Sequence, residues 1–244
     1  MRSIRILCCL LALLAAGCAG GGDDDGEGPT GTSVDPSAYG VAAPGPGNVL
    51  LEFVRAAGAG EADTMWGQLS EPTQASIGPT LDEFRATTAA ELQEGLGTLA
   101  KTARVILSRE LPGGWGVAAI AGEREVESDT EYYAYGVAMA QEAGQWKIEL
   151  GGVVITGLKP DPLAETEGRP AIKASVGAGG DLEQLLMWLD GEPLAVDRGG
   201  NSPFTATLSG KPATPLAPGR HELVAFASSE LTASAVAWTF SVQG

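Results

Sequence analysis

"EYYAYGVAMAQEAGQWKIEL", residues 131–150, decides how the first half of this chain folds. Tyr133, Tyr135, Val137 and Met139 fall on alternate positions, and so do Trp146, Ile148 and Leu150. A period of two marks a strand with one face against a core. Gly144 lies in the short gap between the runs, so 131–141 and 145–150 are expected to pair as an antiparallel hairpin. Upstream, 103–107 and 115–120 flank Pro112-Gly113-Gly114 and read as a second hairpin, which makes the whole stretch a meander.

Before the meander the period becomes helical. Val49, Leu50, Phe53, Val54 and Ala57 share one face, and Gly58 and Gly60 close that helix. A second helix is expected over 61–70, carrying Met65, Trp66 and Leu69. A third opens at Thr80, where Thr80 and Glu83 have the spacing to satisfy each other's free backbone donors. Along it Leu81, Phe84, Leu92, Leu96 and Leu99 return to one side. Three helices and then an antiparallel meander predict an α+β unit over 47–158.

Two stretches of this unit resemble the NTF2-like superfamily: "NVLLEFVRAAGAGEADTMWGQLS" (48–70) its opening helix pair, and "AGQWKIELGG" (143–152) its closing strand. The resemblance implies a cone in which a curved sheet wraps the long helix and leaves a pocket at the wide end. Trp66, Phe84, Tyr133, Tyr135 and Met139 are the expected lining, and a cone filled by its own side chains is the competing outcome. No catalytic signature travels with the superfamily. Some of its enzymes pair a pocket tyrosine with a carboxylate base in an apolar site. An isomerase- or hydrolase-like pairing of Tyr133 or Tyr135 with Asp82 or Glu83 is therefore the enzymatic alternative. Yet Asp82 and Glu83 open a helix, where capping and the helix dipole already account for them.

The second half, 159–244, starts with the linker-like "LKPDPLAETEGRP" (158–170). Thereafter Ile172, Ala174 and Val176 alternate, as do Leu185, Met187 and Leu189, then Phe204, Ala206 and Leu208, and finally Val236, Trp238, Phe240 and Val242. Turn residues separate the runs at 177–180, 190–191, 199–201 and 218–219, which predicts an all-β sandwich. "MWLDGEPL" (187–194), "LAPGRHELVAFA" (216–227) and "AVAWTFSV" (235–242) resemble bacterial Ig-like and fibronectin-like modules, without the cysteine pair of antibody domains. His221, the single histidine, falls in the turn-to-strand framework of such modules, and no nucleophile-elbow pattern accompanies it.

The beginning of the chain is of another kind. Arg2 and Arg5 precede an apolar run over 6–16, too short to cross a bilayer, and Ala15-Ala16-Gly17-Cys18 follows. This resembles the lipobox of bacterial lipoproteins, with Leu14 one place further from the cysteine than the commonest pattern has it. The resemblance implies removal of 1–17 as a signal peptide, acylation of Cys18, palmitate among the chains, and export to the outer side of the cell membrane. Two or three acyl chains on one residue make such an anchor durable. Residues 18–46, rich in glycine, proline and aspartate, are expected to form a disordered tether. Its reach is about 30 Å for a flexible chain of that length.

Counting removes several classes of function. Cys8 and Cys9 would leave with the signal, so Cys18 would be the mature chain's one cysteine, and with one histidine no zinc site of the usual Cys/His kinds can be assembled. No metal and no cofactor is expected. Losing Arg2 and Arg5 and no acid moves the net charge from −16 to about −18, a balance that argues against nucleic acid as a partner. The expectation is an anchored, non-catalytic envelope module that binds an envelope protein, a glycan or a small apolar ligand.

Overall fold

The computed structural model describes residues 44–126 and 129–244. The signal segment, Cys18 and the tether up to residue 43 lie outside the described residues.

The first helix, α1 (Pro46–Ala59), has proline in its opening turn, where no backbone donor is needed, and ends on Gly60 at φ 72°. Val49, Leu50, Phe53, Val54 and Ala57 are all buried, as their spacing predicts. Four short helices follow: α2 (Ala62–Gly67), α3 (Glu71–Ile77), α4 (Leu81–Thr87) and α5 (Ala89–Leu96), with a 3-10 turn over Leu99–Lys101. The three expected helices are therefore five. The second stops at Gly67 because Leu69 bridges to Ile148, and Ser70 then caps α3 by accepting from the Thr73 N–H. The third is broken at Thr88. There the Thr87 hydroxyl donates to the Glu83 carbonyl at 2.7 Å, in competition with the helical ladder, and the Thr88 hydroxyl donates to the Ile77 carbonyl of α3 at 3.2 Å.

The meander is β1 (Arg104–Glu110), β2 (Trp115–Val126), β3 (Asp129–Glu142) and β4 (Gln145–Glu149), antiparallel in sequence order. Its helix-facing side places Ile120, Met139 and Ile148 against Leu50, Phe53, Phe84, Leu96 and Leu99 in one core.

The second half adds nine strands: β5 (Val153–Lys159), β6 (Glu165–Thr166), β7 (Ile172–Ala178), β8 (Leu182–Leu189), β9 (Glu192–Pro193), β10 (Val196–Gly199), β11 (Thr205–Gly210), β12 (Gly219–Ser229) and β13 (Ala233–Val242). They form two sheets, β10-β11-β7-β5 and β6-β13-β12-β8-β9, closed over Ile172, Ala174, Leu208, Leu223, Trp238 and Phe240. β5 pairs with β7, so the sandwich is entered at Val153 rather than at residue 159. The stretch 158–170 is held along its length. Trp238 Nε1 donates to the Pro160 carbonyl at 3.0 Å, Leu163 N to the Thr239 carbonyl at 2.7 Å, and β6 runs parallel to β13.

A third core joins the halves. Leu107, Val117, Ala119 and Ala138 on the outer side of the meander pack against Trp188, Val224, Phe226, Ala233 and Ala235 of the five-stranded sheet. The order of layers is thus helices, meander, five-stranded sheet, four-stranded sheet. The two inner sheets approach so closely at Gly136 that a Cβ there would lie 2.9 Å from the Ala237 nitrogen and 3.0 Å from the Val236 carbonyl carbon.

Candidate functional site

The five residues expected to line a cone pocket do share one environment. Phe84 and Met139 are fully buried, while Trp66, Tyr133 and Tyr135 are partly buried against the same core. Trp66 and Phe84 meet with ring centroids 5.3 Å apart and planes tilted by 44°. The Arg124 guanidinium lies over the Tyr133 ring at 4.2 Å and bonds Glu131 at 3.3 Å. Burial, with Tyr133 beside it, holds the Tyr135 hydroxyl far above the usual phenol range, so that it stays protonated.

Asp82 and Glu83 are committed at the start of α4. The Thr80 N–H donates to Glu83 at 3.2 Å, the Glu83 N–H to Thr80 Oγ1 at 3.3 Å, and Asp82 takes Arg85 at 3.0 Å. The capping box foreseen from spacing is therefore formed.

His221 opens β12, and both of its ring nitrogens are engaged. Nδ1 is 2.7 Å from Asp190 Oδ2 and Nε2 is 2.9 Å from the Ala217 carbonyl oxygen. Two acceptors call for two donors, the imidazolium form. Burial pushes the pKa down, but the bonds to Asp190 and Ala217 and the nearby carboxylate charges outweigh it and raise it above the ordinary value. With Nε2 held by a backbone carbonyl, the Asp190–His221 pair has no nitrogen free to activate a nucleophile. In Ig-type sandwiches a tyrosine near the start of this strand, two residues before the second cysteine, bonds back to backbone a few residues upstream. His221 makes that same bond, and Leu223 stands two residues later, fully buried in the sandwich core.

Two polar clusters that the sequence did not reveal lie where the halves join. In one, Glu149 is 5% exposed and receives Ser70 Oγ at 2.5 Å, Thr73 Oγ1 at 3.4 Å and Thr232 Oγ1 at 3.2 Å. Burial raises its pKa, the three hydroxyls draw it back down, and Glu142 adds a further push upward. Ser70 and Thr73 come from α3 and Thr232 from the β12–β13 turn, so a single carboxyl ties three elements together. Glu149 pairs with Ala138 on the meander's outer side, across the sheet from Tyr133 and Tyr135. In the other cluster, Glu222 accepts from Tyr132 at 2.9 Å and Arg104 at 2.5 Å, with Arg220 stacked 3.8 Å over the Tyr132 ring. Burial and then Glu222 raise the Tyr132 pKa, against Arg104.

Two open hollows among the described residues are lined by none of the five predicted pocket residues. One of about 540 Å³ lies among the helices, beside Gly60, Glu61, Asp63, Arg85, Ala89 and Gln93. The other, about 360 Å³, lies over the four-stranded sheet on Val154, Thr156, Ser175, Gly177, Thr205 and Thr207. Among the described residues no cluster of three or more His, Cys, Asp or Glu side chains could hold a metal, and no helix is long and apolar enough to cross a membrane.

The strand order β5-β7-β11-β10 against β13-β12-β8, with β6 parallel to β13, is that of an Ig-like sandwich. No protein-family model matches the chain, and no curated protein matches it significantly. Among solved structures, the chain is similar to titin Ig tandem domains A164-A165, with 7% identity, 53% of this chain and 87% of that chain covered, and a TM-score of 0.27. A likeness at that score carries no argument, and the Ig-like assignment rests on the strand order alone.

Proposed function

We propose that this protein is a lipid-anchored, extracytoplasmic module of the bacterial cell envelope that acts by binding rather than by catalysis. Its first half is an NTF2-like cone filled by its own side chains, and its second an Ig-like sandwich. The observation that carries this reading is the order of the N-terminal sequence: Arg2 and Arg5, an apolar run, Cys18, and an acidic, glycine-rich stretch before the fold begins. A thiol at that seam is accounted for by acylation. The absence of catalysis is supported by the engagement of the groups that would perform it. His221 holds a turn, Asp82 and Glu83 hold the start of α4, and Glu149 lies across the sheet from the pocket tyrosines. The binding surface is then an exterior one.

Mass spectrometry of the native amino terminus, together with membrane fractionation of the wild type and Cys18→Ser, tests the anchor. Diacylglyceryl and acyl mass on Cys18, with release of the variant from the membrane, is the expected result. A chain intact from Met1, or a processed one with unmodified Cys18, overturns it.

A further inference from the structure

Large exposed apolar side chains are few, and they gather. Of the four among the described residues, Leu231 is 82% exposed, Phe204 47%, Val154 45% and Leu163 43%, and the first three lie at one end of the molecule. Leu231 is at the tip of the turn in which Ser229 N bonds the Thr232 carbonyl. Ser229 pairs with Leu182, whose N–H donates to the Pro203 carbonyl next to Phe204. Val154 is the second residue of β5, three past Gly151, whose carbonyl accepts from Thr232.

The fold begins over the strand that runs toward this end. Gly47 N bonds Ser108 near the end of β1, the turn after β1 offers the Pro112 carbonyl to Gln184 at 3.0 Å, and Gln184 pairs with Ser228 beside Ser229. Helix α1 thus begins over the half of β1 that runs toward the end displaying Leu231, Phe204 and Val154.

We propose that this end faces the membrane and that the turns carrying Leu231 and Phe204 dip into the headgroup layer of the bilayer that holds the Cys18 lipid. The inference rests on the anchor proposed above. An apolar tip buried a few ångströms into the interface leaves water without needing a groove on a partner. Two side chains would be too little to recruit a free protein. A tether converts the contact into an intramolecular one, at an effective concentration on the order of millimolar, where a weak contact suffices to orient the body. Glu230 and Asp181 flank the tips, so the surface that fits is one of zwitterionic headgroups, and anionic lipid repels it.

The mature chain's one cysteine is blocked by lipid in this reading, so Leu231→Cys adds a single reactive thiol for a fluorophore. Ala213→Cys, exposed in the loop before β12 at the opposite end, serves as control. Lipidated full-length protein is reconstituted into phosphatidylcholine vesicles with and without lipids carrying a spin label near the headgroup, and acylation of each sample is verified by mass. The expected result is at least a twofold loss of emission at position 231, little change at 213, and weaker quenching when a third of the lipid is anionic. Equal emission at both positions in a sample with acylated Cys18 refutes the docking and leaves the anchor standing. A sample that lacks the acyl mass and does not enter vesicles removes the anchor and the docking together.

Discussion

Replacing Gly136 by alanine puts a methyl group into the closest approach between the two inner sheets. The new Cβ would sit 2.9 Å from the Ala237 nitrogen, 3.0 Å from the Val236 carbonyl carbon and 3.1 Å from the Ala237 Cβ. Two of these are backbone atoms of β13 and cannot swing aside, so the sheets must part by about 0.5 Å to reach ordinary contact. A gap of that size loosens Ala138, Ala235 and Phe226 around it, and overpacking of a filled core costs about 1–3 kcal/mol. Against this, alanine in place of a strand glycine returns about 0.5–1 kcal/mol of backbone entropy. The net loss is about 1–2 kcal/mol, a five- to thirtyfold change in the folded-to-unfolded ratio. Gly177→Ala is the matched control, since in β7 its Cβ would meet nothing within 4 Å and should stabilise by about 0.5 kcal/mol. Urea denaturation followed by tryptophan fluorescence reads both. A Gly136→Ala protein as stable as the wild type, or stabilised like Gly177→Ala, refutes the account of a tightly packed seam.

Other consequences are open to direct measurement. For Glu149, a native pKa above the ordinary 4.5 means that the folded state binds the proton more tightly; its contribution to stability is full below pH 4.5 and is lost as pH rises through the native value. Denaturation midpoints across pH should show this slope in the wild type and a flatter profile in Glu149→Gln, while Glu149→Ala, which removes the acceptor shared by the Ser70, Thr73 and Thr232 hydroxyls, loses about 1–3 kcal/mol. His221 obeys the same sign from 6.5 upward, and as the single histidine it gives one NMR titration, with a midpoint above 6.5 that falls in Asp190→Asn. Thr80→Ala should cost about 1 kcal/mol in thermal denaturation by removing the cap of α4.

Local chemistry was legible in the sequence, and chemistry between distant segments was not. The Thr80–Glu83 box and the turn at Gly144 depend on neighbours within a few positions, so spacing alone finds them. Alternation placed Met139 and Ile148 on the core side of the meander and Trp238 and Phe240 inside the sandwich. The breaks at Gly67 and Thr88 were hidden because they are made by Ile148 and Ile77, one of them far along the chain. The seam had left a trace. Val117-Ala118-Ala119-Ile120-Ala121 is apolar without alternation, the sign of a strand covered on both faces, and small residues at 134, 136 and 138 mark the side where another sheet comes close. Glu149 shares the outer side of its strand with Gln145 and Lys147, so alternation gave no sign that its carboxyl would be enclosed.

The five-stranded sheet, apolar on both sides, also governs the order in which the molecule can be completed. A chain made from its amino end delivers the helices and the meander first, and their outer side is not fully covered until β13 has followed. Until then Val117 and Ala119 form an open, sticky surface, and a fragment ending before residue 233 would keep it permanently. Truncation near Val153, the natural place to cut if the halves were independent, should yield two aggregating pieces in place of two soluble domains.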